Sequence, residues 1–305
     1  MNDQMPACVA APAREEPLPG VEGATVRWVP RLPATLSNSV KVGASSVARP
    51  GALLSIIPGV ARFLARDGAV LEVAPERGVA RSVIMPLVHG PLAAALIHQR
   101  GEMPLHGATL VNPHTDVAYS IVGPQGAGKS TLAYELVRRG WTLVSDDLTR
   151  LTCSAGEVLA WPGRAGIKLC GDACDRFALS RAALAPIGQR GKLLADVETT
   201  RRPQRLHAVL AIERGGPDVL NQVNGVAALA LLSGNCMKLA YVNALGVAGV
   251  HARIVACIAA TVPAFRLSGA GPPQSFADRV ESFGTRQREE TLAAPKSAVG
   301  ESRSP

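Results

Sequence analysis

A glycine-rich loop that ends in a lysine and a hydroxyl residue has the clearest chemical capacity in this chain. Residues 121–132 read IVGPQGAGKSTL and contain the complete pattern G-x-x-x-x-G-K-[ST], known as Walker A, from Gly123 to Ser130. Glycines allow a backbone to curl so that successive N–H groups point at phosphate oxygens. In this pattern Lys129 reaches the β- and γ-phosphates, and the hydroxyl of Ser130 is offered to Mg²⁺. The stretch therefore predicts binding of ATP or GTP with Mg²⁺. The residues predicted to bind the nucleotide are Gly123, Pro124, Gln125, Gly126, Ala127, Gly128, Lys129, Ser130 and Thr131.

Two adjacent carboxylates, Asp146 and Asp147, follow the next apolar segment, WTLVS. In a β-loop-α-β unit the second strand is expected beside the strand that carries the loop, with its carboxyl end at the same crevice. One carboxylate there can ligate Mg²⁺ directly or through water. The other can accept a proton from an attacking hydroxyl, and we expect Asp146 to be this base. The alternative is that one aspartate ligates the metal and its neighbour caps the following turn.

A third candidate, His106, precedes the loop in the segment PLHGATL. The pattern places it on a strand, and pairing within a hairpin would bring it near the edge of the loop. An imidazole there can polarise an acid or contact a phosphate. The alternative is a structural histidine held by hydrogen bonds on an apolar strand.

The elements that must position these residues form a β-loop-α-β unit. The segments PLHGATLV and VAYSIVG predict two short strands around the turn NPHTD, and the second strand runs into the loop. STLAYELVRRG predicts a helix with Leu132, Leu136 and Val137 on one face and Gly140 at its end. WTLVS predicts a strand, and the crossover to it should be right-handed with parallel strands. The pattern indicates an α/β fold.

The rest of the chain divides by composition into four parts. Residues 1–45 are predicted to be a flexible segment with one strand at ATVRWVP, and residues 46–100 to be strands and a helix packed on the core. In that part Asp67-Gly68 predicts a hairpin turn, Pro91 opens a helix, and Gly101 ends it. Residues 101–268 form the loop-bearing domain. Residues 269–305 are predicted to be a disordered tail with one helical turn at FADRVESF.

Composition limits the class of protein. Of 305 residues, 47% are hydrophobic and only 4% aromatic, so the core must be aliphatic. The formal charge is +8, and the arginines are spread along the chain except for a small cluster at Arg201, Arg202 and Arg205. No aromatic residues interleave with that cluster, which disfavours nucleic acid as a partner. No apolar run approaches the roughly 20 residues of a membrane span, so no membrane partner is expected. The six cysteines show no zinc-binding spacing, and we expect reduced thiols in a cytoplasmic protein.

Taken together, these motifs resemble the HPr kinase/phosphorylase family and its HPr kinase-like relatives, which include kinases of peptide-modification clusters such as those for lasso peptides. The features that carry the resemblance are the His-Gly at positions 106–107, the loop GPQGAGKS, the helix TLAYELVRRG and the strand end SDD. The specific similarity covers roughly residues 96–151. The segments AWPGRAGIKL and GKLLADV are fainter matches to downstream parts of the relatives.

The resemblance implies a P-loop fold of the HPr kinase and phosphoenolpyruvate carboxykinase type, with a mixed sheet flanked by helices. It implies ATP-dependent phosphorylation of a serine hydroxyl on a protein or peptide. Carried over by position, Asp146 would be the base, Asp147 would hold Mg²⁺ with Ser130, and His106 would assist the base. The motifs alone serve equally well in a small-molecule kinase or a non-catalytic nucleotide-binding module, and a homo-oligomer is left open.

Overall fold

The structure is a computed structural model that describes residues 14–187 and 191–293, with side chains up to residue 286. It is a mixed α/β protein with mixed sheets flanked by helices, as the sequence predicts. Residues 1–13 and 294–305, which include Cys8, lie outside the described residues, and so do those parts of the two predicted flexible termini.

The first sheet has seven strands in the order β1-β2-β7-β6-β5-β4-β3. Three of these strands lie within residues 1–45, so the prediction of a flexible segment there is corrected. The segment is ordered because Leu18, Val21 and Val26 are buried in the core below the sheet. Asp67 and Gly68 both have positive φ in the turn between β6 and β7, as predicted for this hairpin. The strands are β1 Glu15–Pro17, β2 Thr25–Trp28, β3 Val40–Val42, β4 Ser46–Arg49, β5 Ala52–Ile57, β6 Ala61–Arg66 and β7 Val70–Pro75.

A helical run covers this sheet and consists of α1 (Arg81–Leu87), a π-helical turn (Val88–Leu92) and α2 (Ala93–Gln99). Pro91 lies inside the run rather than at its start, which corrects the predicted boundary; the π turn accommodates the missing N–H of the proline. Gly101 ends the run with a φ of 74°, as predicted.

By length and composition alone, the run Arg81–Gln99 could cross a membrane, which corrects the expectation that no segment approaches that length. More than half of its apolar window is buried inside the protein. Ile84, Val88, Leu92 and Leu96 pack into the same core as the first sheet. The apolar character of the run is therefore used in packing a core.

A second sheet of eight strands carries the glycine-rich loop, and a third sheet of three strands lies beside it. The strand order in the second sheet is β11-β9-β10-β17-β13-β12-β8, with β18 paired to β17. The strands are β8 Met103–Leu105, β9 Gly107–Asn112, β10 Val117–Val122, β11 Thr142–Ser145, β12 Thr149–Ser154, β13 Glu157–Trp161, β14 Ile167–Leu169, β15 Ala185–Ile187, β16 Lys192–Ala195, β17 Gln204–Val223 and β18 Ala264–Gly269, of which β14, β15 and β16 form the third sheet.

The strand β11 does not pair with β10, the strand that leads into the loop, and this differs from the sequence prediction. Strand β9 lies between them and is antiparallel to both. Two strands that are each antiparallel to a third run in the same direction, so β10 and β11 still end at the same edge of the sheet. The predicted meeting of the loop and the aspartate pair is thus preserved by a different pairing.

Helices flank the sheets and supply the remaining core. Helix α3 follows the loop and buries Leu132 and Leu136, as predicted, while Gly140 beyond its end has a φ of 92°. The helices are α3 Lys129–Arg138, α4 Gly171–Arg176, α5 Gly225–Gly234, α6 Tyr241–Ala244, α7 Ala248–Thr261 and α8 Pro273–Ala293.

Helix α8 replaces most of the tail that the sequence predicts to be disordered. Phe276, Ala277, Val280 and Phe283 are buried in the same core as helix α3. Their consecutive separations of one, three and three residues place them on one face of a helix, a signal that the polar composition of the segment obscured. The prediction of disorder is therefore wrong for residues 273–293.

Cys153 on β12 and Cys257 on α7 form a disulfide across 104 residues of sequence. The expectation of reduced thiols is wrong for this pair, whereas Cys170, Cys174 and Cys236 are free. Disulfides are rare in reducing compartments, so the pair is an argument against the predicted cytoplasmic location. That location remains a prediction.

Candidate functional site

The glycine-rich loop joins the end of β10 to the start of α3 and is built around left-handed glycines. Gly126 and Gly128 have φ of 83° and 93°. The positive φ of Gly128 favours glycine, because L side chains rarely adopt this conformation. The other close contact of a Cβ here, 2.9 Å from Nη2 of Arg214, is with the end of a flexible side chain that can move away. Helix α3 begins at the next residue, and a helix N-terminus favours negative charge through its N–H groups and its dipole. The local structure is that of an anion-binding loop.

Lys129 folds back over the loop at the start of helix α3. Its Nζ donates hydrogen bonds to the carbonyl oxygens of Gly123 at 2.8 Å and Pro124 at 3.0 Å. Burial lowers the pKa of Lys129 against the opposing effect of Asp147. The ammonium is therefore held at the mouth of the loop, where phosphate oxygens would compete for it.

Asp146 lies at the end of β11 against the hydroxyl of the loop. Ser130 Oγ donates a hydrogen bond to its Oδ1 at 3.0 Å, and the backbone N–H of Lys168 donates to its Oδ2 at 2.9 Å. Burial and the neighbouring charge of Asp147 raise the pKa of Asp146. The two oxygens that can serve a divalent cation at this point, one hydroxyl and one carboxylate, are thus in direct contact.

Asp147 points in a different direction from its neighbour. Its φ of 72° is left-handed, which turns the chain sharply after the strand. Lys168 Nζ donates to its Oδ2 at 2.6 Å, and Nε2 of His106 lies 3.9 Å from its Oδ1. Burial would raise the pKa of Asp147, but the ammonium of Lys168 outweighs it and holds the pKa below its usual range. Asp147 is consequently an ionised carboxylate between a lysine and a histidine.

His106 lies between β8 and β9 rather than on a strand, which corrects the predicted placement. The following residue, Gly107, pairs with Val122 at the last position before the loop. A Cβ on Gly107 would lie 2.5 Å from the carbonyl oxygen of Ile121, so glycine is required for this close approach. Burial lowers the pKa of His106, opposed by Asp147, which favours a neutral imidazole near neutral pH. The pairing brings His106 to the loop edge, as the hairpin prediction requires.

Asn235 contacts both the loop and the histidine, and no sequence pattern marks it as a site residue. Its Oδ1 accepts a hydrogen bond from the N–H of Gly123 at 3.0 Å. Its carbonyl oxygen accepts one from the N–H of His106 at 2.7 Å. Only the folded chain brings Asn235 to this place, because it lies 112 residues beyond Gly123.

Basic residues surround the two aspartates. Besides Lys129 and Lys168, two further basic residues contribute positive charge to the site. The charge of Arg164 interacts electrostatically with both aspartates, and the charge of Lys192 interacts with Asp147. Arg164, Lys168 and Lys192 fall within the segments AWPGRAGIKL and GKLLADV, which the sequence analysis noted without assigning residues. The two segments were therefore detectable from the sequence, but the position of their basic residues near the aspartates was not.

A small recess opens beside Asp146 between the first sheet and the loop-bearing domain. His89 on the π-helical turn faces the charges of Arg164 and Lys168. Burial, followed by those two charges, lowers the pKa of His89 to about 4. The lining residues are Pro19, Gly20, Val21, His89, Ala93, Asp146, Leu148, Gly163, Arg164 and Lys168.

The structure brings together all the predicted site residues at one sheet edge. One contact differs from the prediction. Ser130 contacts Asp146, whereas Ser130 and Asp147 were predicted to hold the metal together. The division of roles between the two aspartates stays a prediction.

Comparison with known proteins gives little beyond this geometry. No family model matches the chain, and no curated protein matches it. Among solved structures, the Hpr(Ser) kinase/phosphatase from Coxiella burnetii is similar over 62% of this chain and 99% of that chain, with 14% sequence identity and a TM-score of 0.34. Similarity of this size carries no argument about function, which must be inferred from the residues themselves.

Proposed function

We propose that this chain is a P-loop kinase that transfers the γ-phosphoryl group of ATP, with Mg²⁺, to a serine hydroxyl on a protein or peptide. The observation that carries the proposal is the different environment of two adjacent carboxylates. Asp146 contacts the loop hydroxyl of Ser130, whereas Asp147 lies between Lys168 and His106. A site with separate carboxylates on the donor and acceptor sides suits transfer to a hydroxyl better than nucleotide binding alone.

The donor side has the residue types that a magnesium nucleotide requires. The loop offers left-handed glycines, a lysine and the N-terminus of helix α3 for the phosphates. The oxygens of Ser130 and Asp146 are hard ligands of the kind that Mg²⁺ prefers. Bound MgATP would supply the phosphoryl group and the divalent charge. We therefore assign Ser130 and Asp146 to the metal and Lys129 to the phosphates.

The acceptor side is assigned to Asp147 and His106. The ionised carboxylate of Asp147 can accept the proton of an attacking hydroxyl through Oδ1, the oxygen that faces His106. The ion pair with Lys168 lowers the pKa of Asp147 and weakens it as a base, but both oxygens of Asp146 are already held by hydrogen bonds. Lys168 holds the other oxygen and fixes the orientation of the carboxylate. The reverse assignment, with Asp146 as the base and Asp147 at the metal, is the one implied by the family resemblance. Variants of the two aspartates distinguish these assignments by their effect on the Mg²⁺ requirement.

The basic residues around the aspartates support an anionic transition state. Arg164, Lys168 and Lys192 place positive charge where phosphoryl transfer spreads negative charge over the equatorial oxygens. The same charge would attract an acidic segment of a protein or peptide substrate.

One observation favours a second candidate, a small-molecule kinase. The recess beside Asp146 has cationic walls, Arg164 and Lys168, which would attract a small anionic acceptor, but it has room for only about one water molecule and would have to widen. A non-catalytic nucleotide-binding protein is the third reading, and it predicts ATP binding with no transfer to any acceptor.

A transfer assay with labelled ATP and Mg²⁺ tests the proposal. We expect label on acidic serine peptides, less on neutral ones, and none when the serine is replaced by alanine. The variant His106→Ala should bind ATP normally and transfer more slowly, because the base loses its neighbour. Label on small anionic hydroxy compounds but on no peptide would select the second candidate. Tight ATP binding without label on any acceptor, including the chain itself, would refute the kinase proposal.

A further inference from the structure

A cluster of two histidines and a cysteine is buried behind the loop, apart from the aspartates. His98 is on helix α2, Cys236 follows helix α5, and His251 is on helix α7. The three side chains are 1%, 8% and 8% exposed. One ligand atom from each lies within 4.8 Å of the others. Three elements that are distant in sequence therefore present nitrogen, sulfur and nitrogen to one point in the core.

Three of the four ring nitrogens in this cluster lack a hydrogen-bond partner. Both ring nitrogens of His251 and Nδ1 of His98 are buried without a partner. The one strong contact is between Nε2 of His98 and the carbonyl oxygen of Met237, at 2.9 Å. The Cys236 sulfur lies 4.0 Å from the same nitrogen. A buried polar group without a partner is costly, so an imidazole with both nitrogens unsatisfied calls for an explanation beyond packing.

The environment suits a cation ligand set. Burial lowers the pKa of His98 to about 4 and also lowers the pKa of His251, which leaves both rings neutral. A neutral imidazole has one lone pair that can bind a cation. Because Nε2 of His98 donates to the carbonyl oxygen of Met237, the lone pair of that ring is on Nδ1, and binding through Nε2 would require zinc to displace this contact. Burial raises the pKa of the Cys236 thiol to about 12, so sulfur carries its proton unless a cation displaces it. Aromatic contact between the two rings, with centroids 5.6 Å apart, does not satisfy their nitrogens.

We propose that His98, Cys236 and His251 bind one Zn²⁺ ion in a site that is separate from the proposed magnesium nucleotide site. Two imidazoles and a thiolate are a donor set that zinc accepts, and a water molecule can complete four-coordination. On binding, zinc gains two nitrogen bonds and one sulfur bond, and the thiol proton leaves to solvent. Zinc bonds of about 2.0–2.3 Å require the three donor atoms, which lie within 4.8 Å of one another, to move closer together on binding.

The position of the cluster gives the ion a consequence for the loop. Cys236 directly follows Asn235, the residue that accepts hydrogen bonds from Gly123 and His106. The backbone of Cys236 also forms an antiparallel β-bridge with Leu105, the residue before His106. Zinc would therefore fix the segment that holds the first glycine of the loop, joining helices α2 and α7 behind it.

Metal titration of the full chain, prepared without a histidine tag and stripped with a chelator, tests the proposal. We expect equimolar Zn²⁺ binding in competition with a chromophoric chelator, and a rise in Tm on adding Zn²⁺. Co²⁺ in place of Zn²⁺ should give the visible and near-ultraviolet bands of tetrahedral thiolate coordination. Neither readout requires catalytic activity, so the result is independent of the kinase proposal.

Variants identify the ligands. Cys236→Ala should weaken Zn²⁺ binding at least about 100-fold, because losing even a residue that only orients a ligand costs about 10–100-fold. The matched control, Cys174→Ala, removes another buried free cysteine and should bind like the unaltered chain. His251→Gln, a second variant that fills the same space, should also lose the Tm rise; circular dichroism checks its fold. Equal binding in Cys236→Ala and Cys174→Ala, or no equimolar binding in the unaltered chain, would overturn the site.

Discussion

Ser130 and Asp146 are joined by a hydrogen bond of 3.0 Å from the serine Oγ to the carboxylate Oδ1, across 16 residues of sequence. The bond links the first turn of helix α3 to the end of strand β11. Asp147, the next residue, turns away from Ser130 toward Lys168 and His106. The two carboxylates are adjacent in sequence but have different partners, so their replacement should have different effects.

Asp146→Asn and Asp147→Asn should both slow transfer, but in different ways. For Asp146→Asn we expect that transfer requires a higher Mg²⁺ concentration, because the carboxylate assigned to the metal beside Ser130 loses its negative charge. For Asp147→Asn we expect a rate loss of about 10²–10⁴-fold with an unchanged Mg²⁺ requirement, since a base is lost. Steady-state rates measured across Mg²⁺ concentrations separate these effects, with exposed Asp172→Asn as the control. The opposite pattern would restore the assignment of Asp146 as the base.

Lys129→Ala should weaken ATP binding and abolish transfer. The ammonium lies over the loop carbonyls of Gly123 and Pro124, where it would meet the phosphates. Calorimetric titration with ATP and Mg²⁺ measures the affinity, and Lys41→Ala, an exposed lysine in the first sheet, is the matched control. An ATP affinity that is the same in both variants would count decisively against nucleotide binding by this loop.

Acid should destabilise the protein through His89. Its folded pKa of about 4 is below the ordinary value of 6.5, so the unfolded chain binds more protons between these values. Stability is therefore complete above about pH 6.5 and is lost as pH falls toward 4, by at most about 3 kcal/mol from this group. Urea unfolding at several pH values measures the loss. His89→Gln should reduce the slope within this window, to which His98 also contributes, and an unchanged slope would contradict the prediction.

Reduction of the Cys153–Cys257 disulfide should destabilise the fold. The bond closes a long loop between β12 and α7, and removal of such a bond costs about 2–4 kcal/mol. Cys257→Ser should lower the free energy of unfolding under oxidising conditions, whereas Cys170→Ser, at an exposed free cysteine, should not. Thiol counting by mass spectrometry on the unfolded oxidised chain checks the pairing; free Cys153 and Cys257 would refute it.

Phe276→Ala should destabilise the protein by about 3–5 kcal/mol, the usual cost of truncating a buried aromatic residue. Phe276 is 2% exposed, and α8 also binds helix α3 through Arg139, which pairs with Asp278 and Glu281. Chemical denaturation compares it with Arg286→Ala at an exposed position of the same helix. Equal stability of the two variants would mean that α8 does not support the core.

The sequence by itself determined the chemistry of the loop, because the pattern from Gly123 to Ser130 is local. The backbone conformation of the glycines and the start of helix α3 depend on neighbours within a few residues. The hairpin turn at Asp67-Gly68 and the helix end at Gly101 were predictable for the same reason.

Segments whose order depends on distant contacts were not predicted correctly. Residues 273–293 are polar on average, and only packing against helix α3 decides that they form a helix. Strands β1 to β3 are likewise ordered because they join a sheet whose other four strands lie within residues 46–75. Local composition cannot report this, because the stabilising surface is supplied by another part of the chain.

The arrangement of the site was decided by the tertiary structure alone. Strand β9 lies between β10 and β11 and still sends both to one edge, where Ser130 meets Asp146. Lys168 and Asn235 reach the site from 22 and 112 residues away from the groups that they contact. Sequence spacing fixes which groups the chain carries; sheet order and strand direction fix which of them touch, because hydrogen bonds between strands join residues without regard to their separation along the chain.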